Sequence, residues 1–164
     1  MKAPDGSMKW QIVHRSEYIQ DTLNPQWKPV AIDVDLLCQC DLDRPIRVSF
    51  FDWEESGLHN PMGHFFTTVN RLLRSKAEKE DGGDKWNTSK AFITQNDEGE
   101  EFGKIVVVDV SIETPEGISS KSRKEKAAPK IDKESMLLLT LEGVDMANVE
   151  GWFGCSGKTP ILQN

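Results

Sequence analysis

The chain has little with which to bind nucleic acid, cross a membrane or build a disulfide framework. Its 20 Lys and Arg are outnumbered by 27 Asp and Glu, a formal net charge of −7 over 164 residues. Affinity for DNA or RNA comes chiefly from clustered Lys and Arg, so this balance argues against a nucleic-acid partner. No apolar run approaches the ~20 residues of a membrane-spanning helix. The opening Met1-Lys-Ala-Pro-Asp-Gly-Ser has no apolar stretch behind its Lys and does not read as a secretory signal. Cysteine is scarce: Cys38, Cys40 and Cys155 are an odd number without framework spacing, which suits free thiols in a reducing compartment. The expectation is a cytosolic protein. Hydrophobic residues at 37% and charged residues at 29% lie in the globular range, and the length suits one domain with a real core.

What is present is alternation with period two, the pattern of strands with one face in a core. Val30, Ile32, Val34 and Leu36 alternate with Ala31, Asp33 and Asp35. Further rows are Ile46, Val48, Phe50; Val106, Val108, Val110, Ile112; and Leu137, Leu139, Leu141. Turn signals such as Asn24-Pro25, Gly57, Asn60-Pro61 and Gly82-Gly83 separate them, at intervals suited to an all-β sandwich. Only Val69 to Glu80 reads as a helix, a short one. Glu78 to Asp84 and Asn96 to Glu101 read as one long surface excursion before the strand near Ile105. Residues 115–135, rich in Lys, Ser, Pro and Ala, read as a linker. Its basic run of Lys121, Arg123, Lys124, Lys126, Lys130 and Lys133 can attract acidic headgroups, but with no interleaved apolar anchor it reads as a solvated face.

Trp10-Gln-Ile-Val-His-Arg-Ser-Glu-Tyr-Ile, Leu23-Asn-Pro-Gln-Trp-Lys-Pro, Leu37-Cys38 and Phe51-Asp-Trp-Glu-Glu-Ser-Gly-Leu-His-Asn-Pro-Met-Gly-His-Phe together resemble the second C2 domain of the copines, from its third strand through its Asp-Trp-Asp calcium loop. The resemblance runs from about Asp5 to about Ile112 and covers C2 strands three to eight, placed in residues 1–114. The first two C2 strands are missing from the front. Met136-Leu-Leu-Leu-Thr-Leu-Glu-Gly-Val-Asp and Trp152-Phe-Gly-Cys-Ser-Gly-Lys-Thr-Pro-Ile-Leu resemble them at the back. Two readings stand. Either residues 136–164 complete the same antiparallel Greek-key sandwich by circular permutation, with Ile161 to Gln163 beside Trp10 to Val13, or the tail begins another domain.

The resemblance implies a binding module, not an enzyme, with calcium-dependent attachment to phospholipid membranes. A hard cation wants about six to eight oxygens, which C2 domains draw from aspartates on two loops. Here Asp52 and Glu54 stand at the first loop-three positions, Asn60 at a later one, and Glu150 beside a first-loop position. Gly151 and Gly157 replace expected aspartates, and Lys158 brings a positive charge. So few carboxylates imply a degenerate site and calcium binding that is weak or absent, while Asp52 and Glu54 read equally as solvated loop acids. Trp53, Leu58, Met62, Trp152 and Phe153 are the expected lipid-contacting residues, since amphipathic rings suit the membrane interface. The two tryptophans read alternatively as packing across the loops. The rival function is a calcium-independent protein-interaction module.

Other constellations fall away on spacing. Gly154-Cys-Ser-Gly157-Lys158-Thr159 suggests a phosphate-cradling loop but has Trp152 where the first Gly is needed and no helix behind it. Cys38 and Cys40 with His59 and His64 lack the second half of a metal cluster. His14 reads as a surface residue, and Asp33 and Asp35 as solvent-side acids of a strand. No Ser, Cys or His has a recognisable nucleophile setting.

Overall fold

The computed structural model describes residues 10–20, 22–53, 57, 59–81, 83–115, 131–147 and 157–164, and of residues 53 and 157–159 the backbone. Strands dominate: β1 (Ile12–Arg15), β2 (Ile19–Gln20), β3 (Val30–Asp33), β4 (Ile46–Trp53), β5 (Asn60–Thr67), β6 (Phe92–Gln95), β7 (Glu101–Glu113), β8 (Met136–Val144) and β9 (Gly157–Gln163). Their pairings are antiparallel, in the order β1-β9-β4-β5-β6-β7-β8-β3, with β2 also on β9. The β5–β6 contact is one register pair, His64 opposite Gln95, so the sheet parts there into two layers. The result is an all-β sandwich.

The layers meet through rings. Trp27, beside β8, contacts Phe50 of β4 at 5.7 Å, Phe50 contacts Phe65 of β5 at 6.0 Å, and Phe65 stacks on Phe92 of β6 at 4.5 Å. Leu137, Leu139 and Leu141 of β8 bury alternately, as their spacing requires, each stabilising by roughly 1.5–3 kcal/mol. The Leu23-to-Trp27 segment is laid along β8 by backbone bonds: Gly143 donates to Pro25 and Trp27 to Leu141. The Asn24 side chain accepts from the Asp145 N–H at 2.9 Å.

Several expectations are corrected. The row Val30 to Leu36 is a strand only to Asp33, whose carboxylate caps the helix α1 (Val34–Cys38) by accepting from Leu36 N. Val34, Leu37 and Cys38 are buried at helical spacing, which overrides the apparent alternation, and Asp33 is a cap instead of a strand-face acid. Among the described residues there are thus two short α-helices. The second, α2 (Val69–Arg74), stops well before Glu80. Past Ser75 the backbone turns to β7: Ala77 N donates to Val107 O at 2.8 Å, and the Lys76 ammonium meets Asp109 at 2.5 Å.

Residues 78–81 and 83–87 are not a bare excursion either. They fold back on themselves, Asn87 N donating to Glu78 O and Glu80 N to Lys85 O. Asn96 to Glu100 is the tight turn of the β6–β7 hairpin, its N–H groups gathered by the Asn96 side chain. In β7 a bulge between Val107 and Asp109 shifts the phase. Ile105 and Val107 enter the core before it, Val110 and Ile112 pack against the core after it, and the row that joined Val106 and Val108 to them is broken. Of the expected linker, 116–130 lies outside the described residues, but its end is built in: Ile131 packs on the core and Ser135 is buried, accepting from Val34 N.

Residues 136–164 contribute two strands to this sandwich. β8 lies between β7 and β3, and β9 between β1 and β4. Ile161 pairs with Arg15 and Gln163 with Ile12, while Gln11 and Asn164 exchange backbone hydrogen bonds of 3.1 Å each way. Among the described residues no helix is long and apolar enough to cross a membrane.

Candidate functional site

β4 alternates its side chains between the core (Ile46, Val48, Phe50) and the outer face of its layer (Arg47, Ser49, Phe51). Asp52 therefore falls on the core-facing parity at the end of the strand, where it is 2% exposed. It is paired on one side with Asn60 of β5 and on the other with Lys158 of β9. Both Asp52 and Asn60 are engaged by neighbours. A carboxylate this buried needs hydrogen-bonding or charged company, and an amide and a lysine are the residue types at the adjoining register positions. The next pair, Trp53 opposite Gly157, ends the β4–β9 ladder. Chain thus leaves β4 for segment 54–58 and enters β9 from segment 148–156 at one end of one layer.

Of the expected metal ligands, Asp52 and Asn60 are brought together; Glu54 and Glu150 lie outside the described residues. Among the described residues no three His, Cys, Asp or Glu side chains converge as a metal site. The oxygens the described part supplies are one carboxylate and one amide, which do not by themselves fit a calcium cage. Of the expected lipid contacts, Leu58, Trp152 and Phe153 lie outside the described residues, and Trp53 is described by its backbone. Met62 is a correction: it is fully buried in the core cluster, on the inward parity of β5, and has no surface to offer a membrane. Gly157 to Thr159, part of the loop-like Gly-Lys-Thr sequence, is extended strand paired with β4.

On the outer face of the β1-β9-β4-β5 layer His64, weighed in the sequence only beside the cysteines, meets Arg47, Phe66 and Asp97, which the sequence did not connect to it. His64 of β5 faces the Arg47 guanidinium, which lies 3.1 Å from Nδ1, so Nδ1 is the acceptor and the ring proton sits on Nε2. Nε2 is 3.7 Å from Asp97, and the ring meets Phe66 edge-on at 5.0 Å. Burial first, then the Arg47 charge, hold this imidazole below its ordinary pKa, against the pull of Asp97. His14, read as a surface residue, is half-buried, and burial lowers it too, against Glu17. Next to β1 a pocket of about 450 Å³ opens between Arg15, Tyr18, Phe51, His59 and Ile161. The outward parity of Arg47, Ser49 and Phe51 was the available signal for this face.

Cys38 behaves as a structural thiol. Cys38 is buried, donates to Val34 O at 3.3 Å, and is pushed up to about 11, mainly by burial, so thiolate chemistry is suppressed. In comparisons with known proteins, no family model matches this chain and no solved structure is a significant match to it.

Proposed function

We propose that the chain is a permuted C2-type module, similar to the second C2 domain of copines, that attaches peripherally to phospholipid surfaces through one end of its sandwich and does not depend on calcium. The observation that carries this is the shared exit: Trp53 opposite Gly157, with Asp52 between Asn60 and Lys158 one rung earlier. The two segments whose sequences hold Trp53, Leu58, Trp152 and Phe153 start from that one place. Lys158 stands at the register position opposite Asp52, where a C2 calcium site would gather further negative charge. Counting strands from β8 supports the permuted reading, because the second and third strands then become antiparallel neighbours with Gln11 bonded to Asn164.

The balance of forces favours apolar anchoring. Each headgroup-proximal Lys or Arg contributes about 1 kcal/mol and is screened within a Debye length. Burying a tryptophan or leucine gives about 1–3 kcal/mol that salt does not weaken. Liposome sedimentation with and without calcium and anionic lipid tests this. Binding is expected to be insensitive to calcium and reduced in the Trp53→Ala, Trp152→Ala double variant at low and physiological salt. Neutralising Lys121, Arg123, Lys124 and Lys126 is expected to have the smaller effect. If the linker variant alone abolishes binding, the loop-end contact is wrong. Binding to no liposome would favour the rival reading, a C2 scaffold that recognises other proteins. A calcium titration is expected to show nothing tighter than about 10⁻⁴ M; a micromolar site lost on Asp52→Asn would restore calcium dependence.

A further inference from the structure

The pocket beside β1 is lined by residues other than those named for the loop-end contact. Its volume of about 450 Å³ falls in the range of small-molecule sites, about 300–1,000 Å³. Apolar surface comes from three strands: Ile12 of β1, 49% exposed at the rim, Phe51 of β4, and Ile161 of β9, which is 6% exposed. The charged groups are unequal. The Glu17 carboxylate accepts the Lys28 backbone N–H at 2.9 Å. The Ser16 hydroxyl donates to the Glu17 carbonyl at 2.7 Å, so neither residue is poised for catalysis. Arg15 is the one lining cation of fixed charge, and among the described residues no carboxylate pairs with its guanidinium.

An apolar cleft whose lining cation of fixed charge has no carboxylate partner among the described residues suits one kind of occupant. We infer that this pocket binds a small monoanionic amphiphile, an aliphatic or aromatic acid whose body lies against Ile12, Phe51 and Ile161 and whose charged head pairs with Arg15. The planar fork of Arg matches a carboxylate or sulfonate head in two parallel hydrogen bonds. With the Glu17 carboxylate also in the lining and turned to the Lys28 N–H, Arg15 can pair one negative charge, and a polyphosphorylated head finds no second cation of fixed charge among the described lining residues. In a chain of net charge −7 this local complementarity, not general attraction, selects the anion. The site takes a dissolved ligand and stands apart from membrane attachment, so either reading survives failure of the other.

Fluorescence titration with two naphthalene probes tests the inference on the full chain. 1-Anilinonaphthalene-8-sulfonate carries one negative charge; N-phenyl-1-naphthylamine has the same body without it. Both are expected to bind, and decanoate to displace the sulfonate. Arg15→Gln, an exposed substitution whose fold is checked by its unchanged melting temperature, is expected to weaken the sulfonate by roughly tenfold and the neutral probe hardly at all. Amide chemical-shift changes on adding the sulfonate are expected at Ile12 to Tyr18, Phe51 and Ile161 to Gln163. Equal affinity of wild type and Arg15→Gln for the sulfonate would overturn the inference. So would shift changes confined to Gly57 and the 148–156 segment, or equal weakening of both probes.

Discussion

His64 is a base kept neutral by its surroundings. Desolvation and the Arg47 guanidinium lower its folded-state pKa from 6.5, and Asp97, largely exposed, only partly offsets them. Arg47 can donate to Nδ1 only while that nitrogen is unprotonated. In the unfolded chain the imidazole takes up its proton first, so the unfolded state binds more protons in the window between the two values. Stability is therefore full above the unfolded pKa and is lost as pH falls through 6.5 towards the lowered folded value, with no further loss below it. His14 acts in the same direction. Melting temperature is expected to drop between about pH 7.5 and pH 5, and the drop to be smaller in His64→Gln, which keeps an acceptor for Arg47 but does not titrate. Identical pH slopes for the two proteins would show that His64 is not the group responsible. None of this was legible in the sequence. Arg47 and Asp97 are far from His64 along the chain, and no local spacing reports three residues brought together from two strands and a turn. Asp52 and Asn60 were legible together because the motif around Asp52-Trp53 carries both ends of the β4–β5 hairpin, whereas the burial of Met62 depends on a strand parity that Pro61 and Gly63 obscure.

Strands with clean alternation, β4 and β8, were legible as elements; those whose phase or partner is set elsewhere were not. Asp33 ends one row and caps a helix, so Val30 to Leu36 looks like one strand until the inward face is known. The helical reading of Val69 to Glu80 failed because the backbone beyond Ser75 finds its partners in β7, which no helix propensity can foresee. β6 escaped notice because four residues between a 3₁₀ turn at Thr88–Lys90 and the Asn96 turn carry little pattern. Its junction with β5 is the narrowest in the sheet and depends on Gly63. There φ is +95°, and an added Cβ would stand 2.7 Å from the Gln95 carbonyl carbon, which is backbone and cannot turn aside. Gly99, in the turn that follows, has φ +86° but open space around it. Gly99→Ala is thus expected to cost about 1–2 kcal/mol for the left-handed conformation alone. Gly63→Ala should cost that plus about 1–3 kcal/mol of overpacking. Urea unfolding measures both, and equal losses would mean that the β5–β6 seam yields freely.

At the scale of the molecule, each layer is completed by a strand from residues 136–164. β9 separates β1 from β4 and β8 separates β7 from β3, so neither layer is continuous without them. The bonds between Gln11 and Asn164 make the β9–β1 pair resemble a hairpin whose turn would be residues 1–10, while 116–130 joins β7 to β8 on the other side. If the order of strands in space, not their order in the chain, carries the stability, the two connections are interchangeable. A variant with Asn164 joined to Met1 and new ends opened within 116–130 keeps every strand pair and exchanges the connection 114–135 for one roughly half as long. Loop-closure entropy changes by only about 0.6 kcal/mol for each doubling of length. The rearranged chain is therefore expected to unfold in one cooperative transition within about 1 kcal/mol of the original, with the same near-ultraviolet dichroism from its buried Trp27. A loss of several kcal/mol, or a non-cooperative melt, would mean that residues 1–10 or the 116–130 segment contribute contacts beyond connection. It would also remove the main support for reading the tail as the opening strands of a permuted sandwich, because a hairpin that belongs between β9 and β1 must tolerate being closed there.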